Sequence, residues 1–340
     1  MSLGSSSYIS AAVSFKKLFW VIEKLGYIEV AVPKDLKHAY KKMYFWQPMK
    51  RDLTYVGVEL NVRQIENDEI IIETRTRAGR SYLELQQQNQ TIKIIKEFFG
   101  GYYRTDYGRN RLFPSDDCNP EKTDLEMALY VQRWIFNNAL IPLKIYSDFI
   151  SEKIHTNGSP GDLYSDATGI LPFIDSMRPI VVSNNIQLPY LIGAWENYIK
   201  NVFLVVLKYG DSCDKFIKPD KLSAEDLIKI KNGETCVEEC LVNRLSFQRP
   251  SVIISNFKKL DSSIDVNAIF QKPFKRRKTS LYTQIDDIIE LRNKIVHDGF
   301  LDASLTQKDI SRFIENITEV ADRLYKTLGE RYNFDPNFLF

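Results

Sequence analysis

Arg292-Asn293-Lys294-Ile295-Val296-His297-Asp298-Gly299 closes a helical run that begins near Ser280. At helical pitch, Leu281, Ile285, Ile288, Ile289, Ile295 and Val296 fall within about 120° of arc, a core-facing stripe. Arg292 projects into the middle of that stripe. Asn293 and His297, four residues apart, lie on its flank with Asp286 and Glu290 upstream, and Gly299 supplies the stop. The spacing therefore sets a guanidinium among apolar residues with an imidazole about a turn away. A buried, unpaired charge is costly, so Arg292 is expected to meet a core carboxylate, to snorkel, or to face a cleft or a second subunit.

Outward from this helix, the C-terminal half carries almost no strand signal. Helices are expected over 188–209, 224–231, 236–247, 252–260, 280–298 and 306–331, with Ser223 and either Ser304 or Thr306 as N-caps. That pattern reads as an up-and-down helical bundle. Upstream, Gly158, Pro160, Gly161, Gly169, Pro172 and Pro179 gather with Ser and Asp between 156 and 180, the clearest linker signal in the chain. The division expected is an α+β domain over 1–155, a linker over 156–180 and a helical domain over 181–340.

The α+β reading comes from alternation. Val56, Val58, Leu60 and Val62 alternate with Gly57, Glu59 and Asn61, one face buried and one solvated. A turn at Glu66-Asn67-Asp68 returns the chain through 70–76, and Ala78-Gly79 leads into a further strand over 81–85. Helices are expected over 14–25, from Lys34 onward, over 91–99 and over 122–150, the last kinked or split by Pro142. A short strand is expected over 27–32. Between Gly100 and Arg111, tyrosines and arginines interleave around glycines. They offer a stacking and phosphate-contact surface for RNA, although a β-hairpin whose aromatics pack on the neighbouring sheet is the plainer expectation.

Arg-Asn, then three residues, then His, inside an all-helical C-terminal segment, resembles the R-x4-6-H signature of the HEPN superfamily. The flanking LRNKIVHDG and the earlier helix Leu191-Ile192-Gly193-Ala194-Trp195-Glu196-Asn197-Tyr198-Ile199 strengthen the likeness, which covers roughly residues 181–333. The resemblance implies an α+β domain followed by a HEPN-like bundle that acts as a metal-independent endoribonuclease. RNA supplies its own 2′-hydroxyl nucleophile, so His297 suits proton transfer, Arg292 charge stabilisation and Asn293 the positioning of imidazole or phosphate. Glu196 is a candidate to orient Arg292 or His297; a place on the polar side of its helix is the alternative.

One histidine cannot readily serve as base and acid together. The resemblance implies a homodimer with two facing motifs, products ending in a 2′,3′-cyclic phosphate and a 5′-hydroxyl, and a toxin or phage-defence role against tRNA or mRNA. The N-terminal domain would then sense a trigger. The alternatives are a non-catalytic HEPN module that binds RNA or a partner protein, and a helical scaffold in which Arg292 is a core ion pair. Lys275, Arg276, Arg277 and Lys278 form the densest basic run, just before the Arg292 helix. They are either a flexible loop gripping RNA phosphates or simply a solvated loop.

Composition sets the outer limits. The chain has 340 residues, more than one core usually holds, so two domains are the default. The net charge of +2 makes any nucleic-acid site a local patch. No apolar run approaches bilayer length, and no signal peptide is read, the small polar stretch from Met1 to Ser7 being a candidate expression remnant. Four cysteines form no framework; Cys236 and Cys240 lie four apart with Cys213 upstream, and reduced thiols in a cytoplasmic protein are expected. His38, His155 and His297 are too dispersed for a metal motif, and no cofactor is expected.

Overall fold

The computed structural model describes residues 2–48, 53–54, 56–65, 69–77, 80–114, 123–156, 179–211, 216–217 and 222–336. Expectations for the turn at 66–68, for Ala78-Gly79, for Cys213 and for most of the 156–180 stretch fall outside these residues. The chain divides into two units, Met1–Val131 and Gln132–Phe338.

In the first unit, seven antiparallel strands form one sheet: β1 (Leu3–Ser10), β2 (Ile28–Val30), β3 (Lys42–Trp46), β4 (Val58–Ile65), β5 (Glu69–Thr76), β6 (Tyr102–Thr105) and β7 (Gly108–Arg109), in the order β2-β3-β4-β5-β1-β6-β7. The predicted alternation holds in β4, where Val58, Leu60 and Val62 are fully buried and Glu59, Asn61 and Arg63 are not. With Ile70 and Ile72 they form a core with Leu18 and Ile22 of α1 (Phe15–Lys24) and Ile95 of α2 (Tyr82–Phe99).

Three expectations change here. The stretch read as an expression remnant is the inner strand β1, paired with β5 on one side and β6 on the other. Ser5 and Ser7 are buried polar groups: Ser5 shares a hydrogen bond with Thr74 at 2.6 Å, and small side chains let α2 cross closely above. The strand expected over 81–85 is instead the first turn of α2. The signal was the Ser81-x-x-Glu84 capping box, in which Glu84 accepts the Ser81 N–H at 2.8 Å and the Gly57 N–H at 3.1 Å. Burial pushes the Glu84 carboxyl up, against the pull of these bonds. The helix expected from Lys34 is one 3-10 turn, Lys34–Leu36, followed by β3, whose Met43-Tyr44-Phe45-Trp46 suits a pleated surface better than a helix.

α3 (Asp124–Thr156) starts in the first unit and continues into the second, running unbroken through Pro142. Leu140 and Leu143 are buried on either side of the proline and offset its missing donor. The second unit adds α4 (Pro179–Tyr209), α5 (Ala224–Lys231), α6 (Val237–Val242), α7 (Pro250–Leu260), α8 (Val266–Gln271), α9 (Leu281–Asp298) and α10 (Gln307–Tyr332). Ser223 and Thr306 cap α5 and α10 through capping boxes. α4 begins nine residues before the expected start, because Pro189 reads as a first-turn proline yet lies inside the helix.

α4 is the central helix of this unit: Leu188, Leu191, Ile192, Trp195, Ile199, Val202 and Val206 are buried, while Tyr190, Gly193 and Asn197 line one exposed face. Trp195 meets Phe270 of α8 edge-on at 6.3 Å, and Phe203 lies 5.1 Å from Phe247 and 5.2 Å from Phe257. α9 packs on α4 and α10. No helix among the described residues is long and apolar enough to cross a membrane.

Gly101 joins α2 to β6 at φ +79°, and a Cβ there would fall 2.0 Å from the Tyr8 carbonyl oxygen of β1. Gly101→Ala is therefore expected to destabilise the first unit by about 3 kcal/mol or more, from left-handed strain plus a backbone clash, as measured by urea denaturation.

Candidate active site

α9 starts and ends as its sequence requires. Ser280 accepts the Thr283 N–H at its start, and Gly299, at φ +65°, ends it by returning its N–H to Lys294. Leu281, Ile285, Ile288 and Ile289 are buried as the stripe predicts. The stripe does not run to its expected end: Ile295 is half-buried and Val296 is 45% exposed. The last turns of α9 emerge from the bundle, and His297 is exposed on them.

Arg292 is half-buried. Its Nη1 donates to Asn293 Oδ1 at 3.0 Å, while its Nε is buried with no hydrogen-bond partner among the described residues. No carboxylate among the described residues pairs with it. The acids upstream on the polar stripe are already engaged, since Arg249 binds Asp286 at 3.2 Å and Glu290 at 3.7 Å. Arg292 and His297 leave the helix axis about 140° apart, five residues at 3.6 per turn. The bond to Asn293 turns the guanidinium toward the face that Asn293 shares with His297, four residues on.

The chain after His297 is held by two asparagines that the sequence reading did not single out. Asn185, fully buried on α4, donates to the Asp302 carbonyl at 3.0 Å and accepts the Asp302 N–H at 2.9 Å. Asn184 donates to the Leu305 carbonyl at 2.8 Å. Two adjacent amides in an apolar helix were the available signal, because such groups stay buried only when bonded.

Glu196 is not joined to this cluster. It is half-buried and forms no hydrogen bond or ion pair with Arg292 or His297 among the described residues. Tyr198 donates to the Ala321 carbonyl, and Asn316 binds Gln284 near the start of α9, so this part of α4 lies toward the opposite end of α9 from His297. Along α4, Glu196 is about 16 Å from Asn185.

The basic run occupies the α8–α9 connection, closed by a bridge between Pro273 and Ser280. It is tethered rather than flexible. Lys275 binds Glu315 at 2.7 Å, and Arg277 binds Glu315 at 3.5 Å, Gln284 at 3.0 Å and the buried Asn316. Arg276 and Lys278 are exposed without a partner among the described residues. Proximity in sequence to α9 is proximity to its N-terminal end; the helix rise carries His297 about 26 Å from Ser280. Among the described residues no group of three His, Cys, Asp or Glu converges as a metal ion would require. Cys236 and Cys240 are free, and burial pushes the Cys236 thiol up to about 11.

A helical bundle that presents Arg-x4-His on the emerging end of one helix defines a HEPN-type domain. Residues 173–330 match the family model described as RiboL-PSP-HEPN, and the C-terminal half of this chain carries a HEPN-type domain. Comparison with curated proteins and with solved structures gave no match. HEPN domains are commonly ribonucleases, and the family match suggests an RNA-related function.

Asn185→Ala is expected to cost about 1–3 kcal/mol, since it removes the partner of both backbone groups of Asp302. Hydrogen exchange should report faster amides over 299–305 while the α10 amides stay protected.

Proposed function

We propose that this chain is a metal-independent endoribonuclease whose active groups are Arg292, Asn293 and His297. The observation that carries the reading is the Arg292 guanidinium, half-buried, bonded to a neutral amide and, among the described residues, without a carboxylate or a partner for its buried Nε. A stranded guanidinium donor costs free energy, and a phosphoryl group offers the acceptors it lacks. His297, exposed and one turn beyond Asn293, can exchange protons with the same substrate.

In the reaction the 2′-oxygen of RNA attacks the adjacent phosphorus and the bond to the 5′-oxygen breaks. One imidazole removes the 2′-proton, and an imidazolium gives a proton to the departing 5′-oxygen. The ends are a 2′,3′-cyclic phosphate and a 5′-hydroxyl. Arg292 neutralises charge that builds on the non-bridging oxygens. Two imidazoles in opposite protonation states require a second copy of the chain. Val296 at 45% exposure, Phe300 at 48% and Ile186, beside Asn185, at 62% support a homodimer that buries this end of the bundle. A toxin or phage-defence nuclease, restrained until the N-terminal unit meets its trigger, fits the two-unit division.

Purified protein should cleave single-stranded RNA in EDTA. His297→Ala and Arg292→Ala should each lower the rate at least about 100-fold with unchanged circular dichroism. Dependence on an added divalent ion, or full turnover by either variant, would overturn the assignment.

The composite site has its own test. Titrating wild-type chains with excess His297→Ala chains should depress activity as mixed dimers form. Activity that follows only the amount of wild-type chain, with monomers in light scattering, tells against a shared site.

A further inference from the structure

The β6–β7 hairpin carries an arrangement that its own fold does not use. Arg104 and Arg109 are paired directly across the two strands, and both are exposed. Like charges at such positions repel, and sheets normally place an acid between or opposite them. Here none does: neither arginine has an ion pair among the described residues, nor has the exposed Arg111 that follows. The nearest acid in sequence, Asp106, spends its carboxylate on the Gly4 N–H at 3.0 Å.

The hairpin is firmly built, so the two arginines cannot relax by unpairing. Asn110, at φ +54°, returns its N–H to the Tyr103 carbonyl at 2.8 Å, and the buried Tyr103 anchors the strand from below. On the opposite face, Tyr8 of β1 and Tyr102 of β6 stack with centroids 4.6 Å apart and planes 6° from parallel. The Arg109 guanidinium lies 4.2 Å above the other side of Tyr102. The order is Tyr8, Tyr102, Arg109, and the stack ends at an exposed guanidinium at the sheet edge.

A ligand that uses both features needs an anion to lie between two arginines and a flat ring to extend a stack. We propose that the β6–β7 hairpin is a binding site for single-stranded RNA, with a phosphate between Arg104 and Arg109 and a base stacked on the outer face of Arg109. Guanidinium planes accept bases as aromatic rings do, and a phosphate offers acceptors to two forks at once. An acidic peptide would answer the charge and leave the stacking plane unused. A duplex would hide its base faces. The site is separate from Arg292 and His297, and it does not depend on their being catalytic.

The test uses the full chain carrying Arg292→Ala and His297→Ala, so that no probe is cut, with a fluorescein-labelled 12-nucleotide RNA of mixed sequence in EDTA. Anisotropy titrations over a range of KCl give affinity and salt slope. Arg104→Ser with Arg109→Ser should weaken binding about tenfold or more and flatten the slope by about 0.7, the share of one phosphate contact on a single strand. Arg109→Lys keeps the charge and removes the plane; it should lose affinity several-fold at unchanged slope. The pair Lys34→Ser and Lys37→Ser, exposed lysines elsewhere on the same unit, should change little. Unchanged affinity and slope in the double serine variant would overturn the site, as would an equal loss in the lysine control. Equal binding of duplex RNA, or equal competition by polyglutamate, would overturn the single-stranded assignment. Failure of the parent protein to cleave RNA tells against the nuclease reading alone and leaves this binding result standing.

Discussion

One side chain, Asn185, binds both backbone groups of Asp302, and the working end of the helical unit depends on that pairing. Asn184 and Asn185 are themselves buried on α4, so their amides cannot turn to water and must find partners inside the protein. They find them in the connection that follows α9. The end of α9 is thereby fixed against the central helix while its own side chains stay uncovered. A rigid position with open groups is what a catalytic or binding residue needs.

Several described arginines of the helical unit act as clasps. Arg323 donates to the carbonyls of Ile269, Lys272 and Pro273 and pairs with Glu319; Arg277 joins Glu315, Gln284 and Asn316; Arg331 pairs with Asp261. These guanidinium groups close loops onto helices, with their charge and donors satisfied by the protein. Arg292 has no such set of partners. The contrast rests on hydrogen-bond accounting within one domain, where the same residue type serves as a structural clasp in one place and keeps unspent donors in another.

The first unit shows the same economy in β form. β1 is made of small residues because α2 crosses it, and Tyr8 is the one large side chain that β1 contributes to the opposite face, where it stacks on Tyr102. Glu84 ties the start of α2 to Gly57, whose left-handed φ of +66° leaves no room for a side chain against Phe45 and Trp46. Helix, loop and sheet are thus joined through one buried carboxylate.

Periodicity and caps determined much of this protein from the sequence alone. The alternation in β4, the apolar stripe of α9 as far as Ile289, the caps at Ser223, Ser280 and Thr306 and the stop at Gly299 are local, because propensity, capping and burial of one face act over a turn or two. The Arg-x4-His spacing was legible for the same reason. What lay beyond the reach of local signals was decided by tertiary packing. Ser5 and Ser7 lie in a stretch that reads as an expression remnant, yet a helix crosses them, and Lys275 and Arg277 read as a loop that grips phosphates or is simply solvated, yet Glu315 and Asn316 lie opposite. Glu196 and the basic run, close to the motif on paper, are carried away from it by helix rise. The lone state of Arg292 Nε and the unopposed pair of Arg104 and Arg109 depend on groups that are absent nearby among the described residues. Absence of a partner is a property of three-dimensional surroundings, and a linear chain does not record it.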